Sequence, residues 1–316
     1  MSATQQLVRE QHIVPRWHLG KFTDADGRLW CYRPNRPPKK FAPKGTCWER
    51  DFYEYELNGK KTNNKYENWL GRIENDAATR LSLVLDRSQI GVYDATVWAA
   101  YVASSFVRTE KCRAHISAAM VQKFGEQTQS PDFIRRMQHE LLKWGELVFY
   151  EDVKKSIEQI RSAMDNSPSF YHVSGLERNV ASLAEAVMGK TWHTIQAPQG
   201  KFFLMSDCPV TSVEIADGEI RLGSGLGNEH TVVVLPLTPE YLFVAAPPLT
   251  RWKSVGLPNF VDSVNLLVTQ FAHRRVYSNV NSPEVQSLVD LHINKVEFGK
   301  NAFLHASQNQ NSSAGR

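Results

Sequence analysis

The sequence predicts an α+β fold: short strands at the N-terminus, a central bundle of four to five helices, and a mostly antiparallel C-terminal sheet with a late helix. Two changes in the hydrophobic period lead to this prediction. Apolar residues alternate up to about residue 60, recur with helical spacing from 63 to 190, and alternate again from Thr191. Strands followed by helices and then by strands favour α+β over an alternating α/β order.

The N-terminal segment contains two candidate strands. Arg28–Arg33 alternates apolar and polar residues, and Asp51–Tyr55 is rich in aromatic residues. Between them, the proline-rich stretch Pro34–Lys40 is typical of a turn or loop. The two strands would form a small sheet, and the sequence leaves open whether it joins the C-terminal sheet.

The central segment has helical periodicity. The first helix has one apolar face, formed by Tyr66, Trp69, Leu70, Ile73, Ala77 and Leu81. A second helix should run from about Asp94 to Phe124, and its apolar stretch VWAAYVASSF indicates a position at the centre of the protein. Amphipathic helices should follow at Pro131–Tyr150, with Ser130 as its cap, and at Asp152–Met164 and Ser174–Met188.

The C-terminal segment contains six candidate strands: TWHTIQA, KFFLMSD, TSVEI, EIRLG, TVVVLPL and YLFVAA. The pair Asp217–Gly218 is a tight-hairpin signal between two of them. A helix of about Asn259–Arg274 should precede the strand RRVYS, and a further helix should begin at Pro283. The glycine cluster Gly223–Asn228 is interpreted as a mobile loop.

We expect a single globular domain over residues 1–305 and a polar, disordered tail over 306–316. The 42% hydrophobic and 22% charged residues are typical of a globular protein. The sequence shows neither a secretory signal nor an apolar stretch of about 20 residues, so a cytoplasmic protein without membrane contact is expected. The net charge of +4 neither requires nor excludes a nucleic-acid partner, and the oligomeric state stays open.

The four cysteines are Cys31, Cys47, Cys112 and Cys208. None of them forms a Cys-x-x-Cys pair, so no thiolate zinc site is indicated. Reduced thiols are expected.

The segment Gln11–Phe22 places a histidine before a helix start. Val14 precedes a proline and is biased towards an extended backbone, so His12 sits on a stiff stretch suited to proton transfer or metal binding. The alternative is a histidine that packs the helix entry. The string differs from HNH nucleases, because Gln11 stands where an acid would hold the histidine.

Two carboxylates, Glu67 and Glu74, lie seven residues apart and hence on one side of a helix. They are either solvent-facing charges or an acid/base or metal-binding pair. The carboxylates could hold a divalent cation, but the sequence leaves the cofactor unknown.

Arg108 follows an almost wholly apolar run, which predicts a buried guanidinium that needs a partner or an anionic ligand. Arg108 and His115 share their spacing with the HEPN ribonucleases in those two residues alone, and chance is the simpler account. Ser206 and Asp207 end an apolar strand, where sites are often placed, although Asp207 could equally be a turn residue.

These strings resemble a bacterial family known only as a domain of unknown function, number four-two-three-eight. The residues that carry the resemblance are His12, Pro15, Leu19, Phe22, Asp51, Phe52, Tyr53, Glu67, Glu74, Arg108, Thr109, Ser206, Asp207, Pro209, Pro236, Leu237, Pro239, Asn265, Ala272, Val276 and Tyr277. His18 stands where the family often has an aromatic residue, so it should not be essential.

The resemblance implies that the polar members of these strings belong to one site, without supplying a reaction. The expected catalytic residues are His12, Glu74 and Asp207. The expected substrate-binding residues are Arg108, Gln11, Tyr53, Ser206 and Asn265.

Such a set suits a hydrolase or transferase acting on a phosphate group of a nucleotide or nucleic acid. One alternative is a non-catalytic module that binds a small anion or regulates a partner. Another is a buried salt-bridge network with a purely structural role.

Overall fold

The computed structural model describes residues 8–57, 60–61, 64–86, 90–128, 130–166, 170–216, 219–222, 225–248 and 259–296. The α-helices in these ranges are α1 (Arg16–Leu19), α2 (Lys65–Leu85), α3 (Val92–Val107), α4 (Glu110–Thr128), α5 (Pro131–Lys143), α6 (Tyr150–Asn166), α7 (Phe170–Ser174), α8 (Leu176–Met188), α9 (Phe260–Phe271) and α10 (Pro283–His292). The predicted tail, the Asp217–Gly218 turn and the first two residues of the glycine cluster lie outside the described residues.

The strands are β1 (Glu10–His12), β2 (Leu29–Arg33), β3 (Arg36–Phe41), β4 (Trp48–Arg50), β5 (Glu56–Leu57), β6 (Lys60–Lys61), β7 (Thr191–Gln196), β8 (Met205–Ser206), β9 (Thr211–Ala216), β10 (Glu219–Leu222), β11 (Thr231–Pro236), β12 (Tyr241–Ala246) and β13 (Val276–Ser278). The order of short strands, helices and antiparallel sheet confirms the predicted α+β fold.

Two sheets organise the fold. The five-stranded sheet β10-β9-β11-β12-β7 comes entirely from the C-terminal part. The four-stranded sheet β3-β2-β13-β8 joins both ends of the chain, because β13 pairs with β2 on one side and with β8 on the other. The N-terminal strands therefore do join C-terminal segments, which the sequence left open.

Two predictions for the N-terminal segment were wrong. Pro34–Lys40 was expected as a loop, but Arg36–Phe41 forms β3, which tolerates prolines because it lies at the edge of its sheet. Asp51–Tyr55 was expected as a strand, but its first residues form a turn, since Asp51 has a φ of 52°. The strand in this region is β4, which pairs with β1.

The predicted helix from Asp94 to Phe124 is divided into α3 and α4 at Arg108–Thr109. Arg108 leaves the helical conformation, with a ψ of 15°. The hydroxyl of Thr109 then accepts a hydrogen bond from the Cys112 amide, which caps the first turn of α4. Arg108 and His115 consequently do not lie on one continuous helix.

The main core forms around α3, which is buried nearly all round as predicted. Trp98 lies edge-on to Phe243 of the five-stranded sheet, and Tyr101 contacts Trp17. The predicted apolar face of α2 is also buried, through Tyr66, Leu70, Ala77 and Leu81. The N-terminal strands, the helices and the five-stranded sheet thus share one core.

The strand predicted within KFFLMSD is short, because only Met205–Ser206 pairs with a neighbour. Just before it, the side chain of Asn265 on α9 takes the place of a neighbouring strand. Its Oδ1 accepts from the Leu204 amide at 2.8 Å, and its Nδ2 donates to the Phe202 carbonyl at 2.9 Å.

All four cysteines are free and buried. None of the helices in the described ranges combines the length and the apolar character needed to cross a membrane.

Candidate functional site

Arg108 is the centre of a buried polar cluster. Its side chain is 1% exposed, and its guanidinium donates to the carbonyls of Ile13 at 2.6 Å and His12 at 2.7 Å. It also forms an ion pair with Glu74 of α2, whose side chain is 20% exposed. A buried charge is tolerated when it is paired in this way, so Arg108 fastens the β1–α1 segment to α2.

His12 lies against this cluster, with its side chain nearly buried. Its Nε2 is buried and has no hydrogen-bond partner among the described residues. The pKa of His12 is lowered to about 4, mainly by burial and then by the charges of Arg16 and Arg108, against the raising effect of hydrogen bonds to the backbone of Pro43 and Lys44. The imidazole is therefore neutral at neutral pH, with a free nitrogen.

Glu67 lies two turns before Glu74 on α2, as the sequence predicted, and is half-buried. The pKa of Glu67 is raised to about 7, mainly by burial and with a contribution from the charge of Glu74. The positive charges of Arg108 and Arg16 act in the opposite direction. Glu67 is therefore a carboxyl group that can carry a proton near neutral pH.

Gln11 and Tyr53 form a buried wall beside His12. The Gln11 Oε1 accepts from the Tyr53 amide at 2.6 Å, and its Nε2 donates to Glu54 Oε1 at 3.3 Å. The Tyr53 hydroxyl donates to the His12 carbonyl at 3.3 Å. Burial raises the pKa of Tyr53, so its phenol stays protonated. These contacts fix β1 against the turn that follows β4.

Arg16 was missed as a site residue by the sequence reasoning. It is the first residue of α1 and is exposed. Its charge lowers the pKa of both His12 and Glu67, so Arg16 lies within electrostatic reach of each of these two side chains. In the sequence, the feature that could have identified Arg16 is its position four residues after His12 and directly after Pro15.

The structure gives Asp207 a different set of contacts. Its two carboxylate oxygens accept hydrogen bonds from the amides of His273 and Arg274, both at 2.8 Å, in the turn between α9 and β13. Burial raises the pKa of Asp207, while these two amides lower it. No hydrogen bond or ion pair in the described part of the chain joins Asp207 to His12, Glu74 or Arg108.

The other two C-terminal candidate residues, Ser206 and Asn265, also form hydrogen bonds within the C-terminal part of the chain. Ser206 closes a local turn, since its hydroxyl donates to the Cys208 carbonyl at 2.9 Å and accepts from the Cys208 amide. Asn265 bridges α9 to residues 202–204. The structure therefore brings Gln11, His12, Tyr53, Glu74 and Arg108 together in one cluster. Ser206, Asp207 and Asn265 make their contacts elsewhere, within the C-terminal part of the chain.

His18, which was not expected to be essential, is a buried structural histidine. Its Nδ1 lies 2.6 Å from the Tyr101 hydroxyl and its Nε2 lies 2.8 Å from the Pro236 carbonyl. Both nitrogens are occupied, in contrast to His12.

For metal binding, the described residues contain no group of three or more histidine, cysteine or acidic side chains that could hold an ion. The divalent cation remains a prediction.

The arrangement can support acid–base chemistry. The surroundings invert the usual order of the two pKa values, with His12 at about 4 and Glu67 at about 7. Between these values a neutral imidazole coexists with a protonated carboxyl group, which is the pairing that a base and an acid need.

One of the comparisons with known proteins identifies a family. The sequence profile described as Protein of unknown function (DUF4238) matches residues 10–282, a span that contains both polar groupings. No curated protein and no solved structure matched the chain. Because the match covers most of its 316 residues, the chain belongs to the DUF4238 family.

Proposed function

We propose that the protein is a hydrolase or transferase that acts on a phosphate group of a nucleotide or nucleic acid. The observation that carries this proposal is the inverted order of the pKa values of His12 and Glu67, two groups that both feel the charges of the exposed Arg16 and the buried Arg108. Two groups whose pKa values are pushed apart are a common sign of an acid and a base in one site.

In the proposed reaction, His12 is the base and Glu67 is the acid. His12 accepts the proton of the attacking water or alcohol as its oxygen bonds to phosphorus. Glu67 donates its proton to the leaving oxygen as the old phosphorus–oxygen bond breaks. Each reaction thus leaves His12 protonated and Glu67 ionised, and one proton exchange with solvent restores both.

Arg16 is the proposed anion-binding residue. The guanidinium of Arg108 is closed to solvent and already contacts two carbonyls and Glu74, whereas Arg16 is exposed. Arginine binds phosphate oxygens through two parallel hydrogen bonds. In this proposal Arg108 and Glu74 are positioning residues that hold His12 and Glu67 in place.

Access to His12 requires movement, because its Nε2 is closed off from solvent. Contacts in catalytic sites often become complete only when the substrate binds. The segment 12–16 joins a three-residue strand to a four-residue helix, so a shift of Arg16 upon phosphate binding is the proposed opening step.

The test is a turnover assay with nucleoside triphosphates, a nucleotide phosphodiester and short RNA and DNA, with and without divalent cations. Glu67→Gln and His12→Gln should each lose about 10²–10⁴-fold in rate. Arg16→Ala should raise KM. The matched controls are Glu185→Gln and His230→Gln, which change exposed residues of other elements and should leave turnover unchanged.

A second candidate function, a non-catalytic module that binds a small anion, is favoured by the closed position of Arg108 and the exposed position of Arg16. Thermal shift separates the two functions. Binding of a nucleotide that raises the melting temperature, is lost in Arg16→Ala and occurs without turnover would support the module and reject the enzyme. Turnover that survives both Glu67→Gln and His12→Gln would reject the assigned site.

A further inference from the structure

The helices α5 and α6 form a hairpin with its own small core. Ile134 of α5 packs with Val153 and Ile157 of α6, apart from the main cluster of buried residues. Gly145, with a φ of 81°, turns the chain between the two helices. The hairpin is therefore a separate layer of the fold with a connecting loop of residues 144–149.

The end of this hairpin is unusually apolar for a surface. We define the hairpin tip as Leu142, Trp144, Leu147 and Phe149, whose exposed fractions are 55%, 83%, 77% and 69%. Single exposed apolar residues are ordinary on a protein surface. Four of them within eight positions are a local concentration of the kind that marks an interaction surface.

An open cavity of about 270 Å³ lies beside the tip. It is lined by Arg135, Gln138, His139, Leu142, Leu147 and Val148. The cavity and the hairpin tip share Leu142 and Leu147, so the exposed indole of Trp144 and a cavity occur at the same end of the hairpin. A surface that carries both parts is self-complementary, as an interface around a two-fold axis must be.

We propose that the hairpin tip is a homodimer interface, in which Trp144 of one protomer fills the cavity beside the tip of its partner. Buried aromatic side chains contribute about 150–250 Å² each, so Trp144 and Phe149 supply up to about half of the ~800 Å² per partner of a standard interface. Leu142, Leu147 and the polar rim supply the remainder.

One charge beside the cavity fits the same partner. Arg135 lines the cavity, with only a long, exposed ion pair to Asp132 among the described residues, and the acidic Glu146 lies two residues after Trp144 on the exposed loop. When Trp144 enters the partner's cavity, Glu146 of the same protomer is carried towards Arg135 of the partner. The two-fold axis repeats this contact, which gives two Glu146–Arg135 pairs per dimer.

The test is sedimentation velocity of the full chain from low to high micromolar concentration. Wild type should be a dimer, and Trp144→Ala should weaken association by at least about 30-fold, the effect of an interface hot spot. Leu291→Ala removes another strongly exposed side chain, on α10, and should leave the dimer intact. Circular dichroism of each variant checks that it is folded.

A charge exchange makes the test specific to this geometry. Arg135→Glu and Glu146→Arg should each weaken the dimer, and the double variant should recover most of its affinity. A monomeric wild type at high micromolar concentration overturns the proposal, and so does a dimer that is unaffected by Trp144→Ala. Flotation of a monomeric wild type with anionic phospholipid vesicles, lost in Trp144→Ala, would assign the tip to a membrane surface instead.

Discussion

The candidate residues beside Asp207 and those beside Arg108 differ in how completely they are hydrogen-bonded. Both carboxylate oxygens of Asp207 accept backbone amides in one tight turn. Around Arg108, the guanidinium is satisfied, but Nε2 of the neighbouring His12 has no partner, and Glu67 is left half-buried with a raised pKa. The Asp207 carboxylate is therefore fully hydrogen-bonded, whereas the His12 imidazole keeps a nitrogen that can still form a hydrogen bond.

This difference separates structural from chemical roles. A buried polar group with all of its hydrogen bonds made stabilises one conformation, while a group left unpaired costs free energy and needs an explanation. Asp207, Ser206 and Asn265 are accounted for by the turn and the α9 contacts that they make. His12 and Glu67 are not, and a reaction with a substrate is the explanation proposed for them.

The largest expected effect comes from Arg108→Met, which removes the guanidinium that donates to Glu74, to the Ile13 carbonyl and, together with the Tyr53 hydroxyl, to the His12 carbonyl. Removing one partner of a buried ion pair costs about 3–5 kcal/mol, so urea unfolding should show a loss of that size. Arg178→Met, at an exposed arginine of α8, is the matched control and should change the free energy of unfolding by less than about 0.5 kcal/mol. A loss below about 1 kcal/mol for Arg108→Met would mean that the ion pair does not fasten α2.

The second-largest effect on stability is expected for Asp207→Asn, which replaces one of the two oxygens that accept a backbone hydrogen bond by an NH₂ group. We expect a loss of about 2–3 kcal/mol in the free energy of unfolding, because hydrogen bonds to a charged acceptor are strong and the donor left behind is buried. Turnover or ligand binding by the folded variant should match wild type. A folded variant of normal stability without activity would instead move Asp207 into the chemical site.

The smallest effect on stability is expected for Glu67→Gln, and this substitution should stabilise the protein rather than destabilise it. The pKa of Glu67 is about 7 in the folded protein and about 4.3 in an unfolded chain, so the folded state binds the extra proton between these values. Its contribution to stability is therefore fully present at low pH and is lost as the pH rises through about 7.

Glu67→Gln should accordingly stabilise the protein at pH 8 by about 1 kcal/mol, after allowance for the solvent screening of a half-buried group. The gain should shrink as the pH falls towards 5. Urea unfolding at both pH values measures this, with Glu185→Gln as the exposed control. A variant less stable than wild type at pH 8 would contradict the raised pKa.

Much of the fold could be predicted because hydrophobic period is a local property. The apolar run of α3 indicated its central position, and Pro283 marked the start of α10. The pairing of β2 with β13 could not be predicted, because it joins residues that are distant along the chain. The break at Arg108 also depends on distant partners, namely the carbonyls of His12 and Ile13.

For the candidate site, the sequence identified polar residues in unusual places but not their partners. A buried arginine was expected after the apolar run, and its ion pair with Glu74 is a tertiary contact. Asp207 had two interpretations from the sequence, a site residue or a turn residue, and its bonds to the amides of His273 and Arg274 are those of a turn. Arg16 was overlooked because an exposed arginine is ordinary until its neighbours are known.

The most direct test of the central claim, that the cluster around Arg108 is a site for proton transfer, is the titration of Glu67 by carbon-13 NMR. Side-chain carboxyl labelling of glutamate, with the Glu67 signal assigned by its loss in Glu67→Gln, reports the protonation of this residue without any substrate. The account predicts a midpoint near 7, where the carboxyl group can donate a proton. A midpoint between about 4 and 5, the ordinary range for glutamate, would contradict it.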